Sequence, residues 1–338
     1  MGIVRKIVIG AGSLVGLFVL AGAGGYLWAS NTASARLSKT HDIHRADFPI
    51  PFPLSEEELA AVRAERVAGA PAGADALAGA NVDALAAERA AARGKHLVES
   101  FYACTECHGT NFGGGVMVDD PVMGQVLGPN LTTGKGSRTL TYTAADWDRM
   151  VRHGVKPSGT ASPMPSRDYY LMSDRELSDV VSYIRSMPAV DNEVAPVTLG
   201  PVGKVLVASG QMPLSAETHP TNHEIAHAPL PPAPVADATF GKHLAQTCTG
   251  CHGPQFAGGK ILGGPPDWPP AANLTPTGLP GWSFDDFSRA LKEGKSKSGT
   301  VLREPMLGMG KFARNMTDVE LQALWAYIKE LPPQPTGK

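Results

Sequence analysis

Cys104-Thr105-Glu106-Cys107-His108 recurs, further along the chain, as Cys248-Thr249-Gly250-Cys251-His252, and this pair of strings decides the reading of the sequence. The chain's four cysteines all fall inside them. None is left for a disulfide framework or a lone nucleophile.

On a helix, cysteines at i and i+3 and a histidine at i+4 project from one face. Two thiols so placed can take the two vinyl groups of a haem while the imidazole reaches its iron, and C-x-x-C-H reads as a site of covalent haem attachment. A zinc ribbon would space its Cys pairs about 15–20 residues apart, far closer than these. A thioredoxin-like dithiol needs a βαβ framework, and strand-like alternation is scarce here.

The strings sit inside an internal repeat. Gly94-Lys95-His96-Leu97 returns as Gly241-Lys242-His243-Leu244, Asn130-Leu131-Thr132 as Asn273-Leu274-Thr275, and Ser158-Gly159-Thr160 as Ser298-Gly299-Thr300. Pro163-Met164 returns as Pro305-Met306, and Met172-Ser173-Asp174 as Met316-Thr317-Asp318. Each copy reads as a first helix bearing the Cys pair, a long Gly/Pro loop, a short amphipathic helix, a Met-bearing loop and a terminal helix. Ser173 with Glu176, and Thr317 with Glu320, predict a capping box at each terminal helix. Behind them Leu177, Val180, Val181 and Ile184, matched by Leu321, Leu324, Trp325 and Ile328, form an apolar stripe. Small modules with so much loop bury little apolar area unaided, so a cofactor is expected to complete each core.

With these residues the sequence resembles the class I cytochrome c family, in particular its membrane-anchored dihaem members. The shared pattern is C-x-x-C-H-G, a downstream Asn-Leu segment, a distal Met after a Gly/Pro-rich loop, and a terminal helix ending near Pro188 or Pro332. The resemblance implies two haem c groups held through Cys104 and Cys107, and through Cys248 and Cys251. It implies His/Met axial ligation and one-electron transfer without catalysis. His108 and Met164 would serve the first iron, His252 and Met306 the second, with Met309 as the rival to Met306. For each Met the plain alternative is an unbranched side chain filling a gap in the core. By the same resemblance the Pro129 carbonyl accepts the second N–H of His108. Ala272 stands in the matching place, so the two haems are expected to differ in potential. His96 and His243, equivalent in the repeat, suggest a shared packing or capping role; His41, His44, His153, His219, His223 and His227 read as surface or locally hydrogen-bonded.

After Arg5 and Lys6, residues 7–29 carry no charge. As a helix such a run spans roughly 35 Å, enough to cross a bilayer. The basic pair predicts a cytoplasmic N-terminus. Ala33-Ser34-Ala35 has the small-residue pattern of a cleavage site, but the apolar run exceeds a usual signal-peptide core, which favours an uncleaved anchor. Either reading exports the rest of the chain.

The expected architecture is all-α: two tandem cytochrome c domains after an N-terminal transmembrane helix. The chain divides into an anchor or signal peptide (1–30), an Ala-rich tether without a core of its own (31–83), the first domain (84–190), a Pro-rich linker (191–236) and the second domain (237–336). In the tether, Ser55 before Glu56, Glu57 and Glu58 marks a helix start, and Gly69, Pro71 and Gly73 end it.

Charge is nearly balanced, 30 Lys+Arg against 32 Asp+Glu, which leaves no global field for nucleic acid. Residues 289–314 hold seven Lys/Arg against two Asp/Glu, a basic stretch suited to an acidic redox partner. With both axial positions filled by protein, a carrier is expected rather than an enzyme. Its partners would be a membrane dehydrogenase, a quinol-oxidising complex or an oxidase, on the periplasmic side of a bacterial inner membrane. The alternatives are the cytochrome subunit of a haem–copper oxidase and a dihaem peroxidase.

Overall fold

The Gly-Lys-His-Leu repeat is explained by a helix crossing that only glycine permits. A Cβ on Gly94 would lie 1.9 Å from the Asp179 carbonyl oxygen, and one on Gly241 would lie 1.9 Å from that of Ala323. Each glycine therefore lets the first helix of its module press against the backbone of the terminal helix.

In the computed structural model the described residues are 2–67, 79–218, 221–265 and 267–337, with side chains from residue 18 onward. The expected helix breakers Gly69, Pro71 and Gly73, and His219, lie outside them. In chain order the helices are α1 (Gly2–Ser38), α2 (Glu56–Val67), α3 (Val82–Leu97), α4 (Thr105–His108), α5 (Ala144–Val151), α6 (Asp174–Ser186), α7 (Pro201–Ala208), α8 (Ala238–Leu244), α9 (Thr249–His252), α10 (Phe284–Glu293), α11 (Met306–Ala313) and α12 (Asp318–Glu330). The pairs α3–α6 and α8–α12 form the crossings of the two repeats. The capping boxes at Ser173/Glu176 and Thr317/Glu320 are both formed, and the predicted stripe residues Leu177, Val181, Leu321 and Ile328 are buried.

The expectation of an all-α chain needs correction. A small antiparallel sheet joins β1 (Gly115–Asp120), β2 (Gly124–Gly128) and β3 (Thr198–Leu199) in that order. Asp120 makes the hairpin turn, its Oδ1 accepting from the amides of Val122 and Met123 at 2.8 and 2.7 Å. The hairpin lies between the first C-x-x-C-H string and Pro129. A Cβ on Gly128 would fall 1.9 Å from the Cys107 carbonyl oxygen, so β2 runs directly against α4.

The tether and linker are also more structured than their composition suggests. Phe48 joins the main core, and Leu54, Val62 and Ala86 make a small core of their own. Ser55 caps α2 as expected, and Glu58 then reaches Arg93 (2.7 Å) and Arg175. The linker contributes β3 and α7. Val207, Leu214 and Ala216 from that stretch bury against Ala33 of α1 and Val155 and Ala161 of the first module.

Helix α1 covers the apolar run, although the side chains of its first half are outside the described ones. Among the described residues no helix is long and apolar enough to cross a membrane. Phe18, Val19, Leu20, Leu27 and Trp28 are nonetheless exposed along it.

The modules share one continuous core, with Leu177 and Val181 at one end and Leu324 and Ile328 at the other. Their contact is reciprocal. Arg167 and Gln246 link the segment after Met164 to the second C-x-x-C turn, through Gly250 O (3.3 Å) and Arg167 O (3.0 Å). Lys311 and Asn315, after Met306, reach Glu106 Oε1 (2.6 Å) and Glu99 O (2.8 Å) beside the first.

Candidate functional site

Each C-x-x-C-H string forms a single helical turn that ends at a glycine in the left-handed half of φ space, Gly109 at φ 77° and Gly253 at φ 76°. His108 and His252 are both buried, each 9 % exposed. The Nδ1 of His108 lies 3.1 Å from the Pro129 carbonyl oxygen, and that of His252 lies 2.7 Å from the Ala272 carbonyl oxygen. Burial pushes both imidazoles down, outweighing the carbonyl's opposite pull, so both are neutral near pH 7. With Nδ1–H donated to the carbonyl, each ring keeps a lone pair on Nε2, the state a metal requires.

The Asn-Leu-Thr repeat fixes those carbonyls. Asn130 Nδ2 donates to Val190 O (2.7 Å), and Asn273 Nδ2 donates to Gln334 O (2.8 Å), tying each loop to the chain beyond its terminal helix. Thr132 and Thr275 hydroxyls in turn donate to the Asn oxygens at 2.8 and 2.7 Å. Replacing Pro129 by Ala272 in the second copy therefore leaves the carbonyl in use.

In the first module Cys104, Cys107, His108 and Met164 line one cavity of about 430 Å³. Its walls are Leu131, Val151 and Met172 with the terminal-helix stripe Leu177, Val180, Val181 and Ile184. Met172 is only 3 % exposed and faces this cavity too. Burial pushes the Cys104 thiol up to about 12 and Cys248 up to about 11, and raises Cys107 and Cys251 also. A redox-active or nucleophilic dithiol is built with the opposite shift, so these cysteines are not poised for exchange chemistry.

In the second module Cys248 is half-buried and Cys251 is exposed. Met306 opens α11 half-buried, whereas its rival Met309 is 39 % exposed. The basic stretch around them is largely tied within the chain: Arg289 to Asp286, Lys292 to Asp318, Lys295 to Glu293 and Lys311 to Glu106.

Trp147 was not singled out by the sequence reading. It is 3 % exposed, lines the first cavity, and its buried Nε1–H has no partner. Arg138 and Tyr142 line the same cavity. An indole N–H left unpaired beside a guanidinium and a phenol calls for an anionic oxygen ligand.

The sequence pattern of the cytochrome c family matches residues 91–188 and 238–332, more than half of the chain. The chain belongs to the cytochrome c family. Membership implies covalently bound haem c, and the residues present fit it: paired thiols, a neutral imidazole and a thioether around an apolar cavity, with an unpaired indole N–H that suits a propionate. Two curated relatives are the cytochrome c subunit of a quinone-dependent alcohol dehydrogenase from Gluconacetobacter polyoxogenes, 27 % identical over 70 % of this chain and 54 % of its own, and the fructose dehydrogenase cytochrome subunit of Gluconobacter japonicus, 23 % identical over 68 % and 50 %. A third, the gluconate 2-dehydrogenase cytochrome c subunit of Pantoea cypripedii, is 34 % identical over 26 % of this chain and 22 % of its own. The chain thus spans about half the length of the first of these relatives.

Proposed function

We propose that this chain is an electron carrier with two covalent haems c, the cytochrome subunit or partner of an extracytoplasmic dehydrogenase. The observation that carries the reading is the convergence of Cys104, Cys107, His108 and Met164 on one cavity, in a chain that repeats the same string. The bound group supplies a one-electron iron couple. The protein's own residues would hold it, with Cys104, Cys107, Cys248 and Cys251 as attachment points, His108 and His252 as proximal ligands, and Met164 and Met306 as distal ones. His/Met ligation favours ferrous iron and raises the potential. With His and Met holding both sides of the iron, small oxidants would find no vacancy, which favours a carrier over a peroxidase. The named relatives are dehydrogenase subunits, which favours a dehydrogenase donor over assembly with an oxidase.

The same reading puts the N-terminal helix in a membrane, with the haem modules on the periplasmic face. The exposed apolar residues 18–20 and 27–28 of α1 continue the uncharged run begun at residue 7, and such a surface is unfavourable in water. Tyr26 and Trp28 would sit at the interface, where Lys204 Nζ already meets the Tyr26 hydroxyl at 3.3 Å.

A reductive titration of the purified protein tests the carrier reading. Two one-electron equivalents per chain, fast reoxidation by an electron acceptor and no turnover of peroxide are expected. Peroxide turnover, or fewer than two equivalents, would overturn it. Retention in the carbonate-washed membrane fraction tests the anchor, and release into the wash contradicts it.

A further inference from the structure

The histidines read from sequence as surface or locally bonded are not dispersed. His44 from the segment before α2, Asp148 of α5, His153 just after α5 and His227 of the linker converge, their ligand atoms all within 4.8 Å of one another. His153 and Asp148 are 0 % and 1 % exposed. The His44 and His227 side chains are 11 % and 6 % exposed. Helix α5 divides its labour: Trp147, Met150 and Val151 line the first haem-type cavity, while Asp148 faces away from it into this cluster.

The outer nitrogens of the rings are already committed. His223 Nε2 lies 2.9 Å from Ala216 O and must donate to it, so its Nδ1 is an acceptor. His153 Nδ1, 3.1 Å from that acceptor, carries its own proton there. His44 Nδ1 donates to the His223 carbonyl at 3.3 Å. What remains is three Nε2 atoms turned inward, those of His44 and His153 with their lone pairs free. His153 Nε2 and His227 Nε2 are 3.0 Å apart. His44 Nε2 is 3.7 Å from Asp148 Oδ2, and the other two are 3.8 and 3.7 Å from Oδ1. Asp148 Oδ2 is buried without a hydrogen-bond partner.

Three imidazole nitrogens gathered round a buried carboxylate oxygen that has no hydrogen-bond partner suit a cation between them. A tetrahedral ion with bonds of about 2.0–2.1 Å separates its ligand atoms by about 3.3–3.4 Å. The His153–His227 pair at 3.0 Å and the three His–Asp148 approaches at 3.7 to 3.8 Å, taken over both carboxylate oxygens, lie either side of that value, and the whole set stays within 4.8 Å. Arg152 donates from Nε to Asp148 Oδ1 at 2.7 Å and from Nη2 to Asp174 Oδ1 at 2.8 Å, which orients the carboxylate and offsets the guanidinium charge.

We infer that His44, Asp148, His153 and His227 form a structural binding site for a divalent transition-metal ion, with Zn²⁺ the ion that three imidazoles and one carboxylate suit best. The ion would clip the pre-α2 segment and the inter-module linker onto the first module. It would also brace the loop that carries Met164. Ser215, next to the Ala216 that fixes His223, donates from Oγ to the Met164 carbonyl at 3.0 Å. No haem chemistry enters the argument, so zinc and iron can be counted independently.

The test is metal analysis of the full-length, detergent-solubilised protein made with Zn²⁺ supplied, alongside His44→Ala and His227→Ala. One zinc per chain is expected in the parent. In each variant zinc should fall at least tenfold while iron content and the haem spectrum stay unchanged. Should the variants also lose iron, X-ray absorption at the zinc edge of the parent decides, with three imidazoles and one oxygen expected at about 2.0 Å. Absence of zinc from the parent, zinc retained in both variants, or a different ligand set would each overturn the inference.

Discussion

His96 Nε2 lies 2.7 Å from Glu320 Oε1, and the same contact occurs in reverse between His243 Nε2 and Glu176 Oε1 at 2.8 Å. Each histidine comes from the first helix of one module, and each glutamate is the capping-box residue of the other module's terminal helix. The two copies therefore dock face to face about a pseudo-twofold axis, each contact the image of the other. The shared role expected of these histidines is this docking.

The two contacts differ in burial, which sets their energies apart. His243 and Glu176 side chains are 10 % and 7 % exposed, whereas His96 is 37 % exposed. His243→Ala strands a buried carboxylate and should cost about 3 kcal/mol. His96→Ala should cost about 1 kcal/mol or less. Denaturant unfolding of both variants checks the order, and equal losses would contradict it.

The outer contact also predicts a pH window. The hydrogen bond that His96 donates to Glu320 raises the imidazole above its usual 6.5. A raised imidazole contributes fully below 6.5 and loses that contribution as pH climbs through its folded value. Burial raises the Glu320 carboxyl, but hydrogen bonds from His96 and Thr317 outweigh it and leave it below its usual 4.5. That contribution is present above 4.5 and fades as pH falls through the lower folded value. The contact should thus be strongest between about 4.5 and 6.5. Unfolding free energies at pH 5.5 and 8.5 should differ less in His96→Ala than in the parent protein.

On the proposed reading, Asp168 would link pH to the second haem. Its carboxyl is pushed up to about 6 by burial, against the pull of Arg167, and it abuts Gly250 inside the second C-x-x-C turn. As pH rises through 6 the carboxylate appears and favours ferric iron nearby. The midpoint of that haem should fall, with a slope no steeper than about 59 mV per pH unit. Asp168→Asn should flatten the dependence between pH 5 and 7. A parent protein with the same slope as the variant would refute the coupling.

Removing the distal thioether separates ligation from packing. Met164→Ala should abolish the methionine-to-iron charge-transfer band of one ferric haem, lower its potential and cost about 2 kcal/mol of stability. Loss of stability with the band intact would mean that Met164 only packs. The parallel variants Met306→Ala and Met309→Ala should affect the second band unequally, with Met306→Ala removing it.

The cysteine strings, capping boxes and apolar stripes were legible because each is local: spacing on one helix turn fixes which side chains share a face. The hairpin from Gly115 to Gly128 was not. Val116-Met117-Val118 gives no polar alternation, and β1 interrupts its register between Val116 and Val118. The importance of Trp147 rests on an unpaired N–H that only burial reveals. The histidine cluster was equally hidden, since its four residues come from segments as distant as 44 and 227 and share no period. Helix α7 in the Pro-rich linker was hidden too, and Pro201 opens it at its first position, where the missing N–H costs nothing.

Intact-protein mass spectrometry of the denatured mature chain, followed by peptide mapping, bears most directly on the central claim. Two haem-sized additions should survive denaturation, one on the peptide with Cys104 and Cys107 and one on the peptide with Cys248 and Cys251. A chain with four unmodified thiols, or one whose haem dissociates on unfolding, would contradict it.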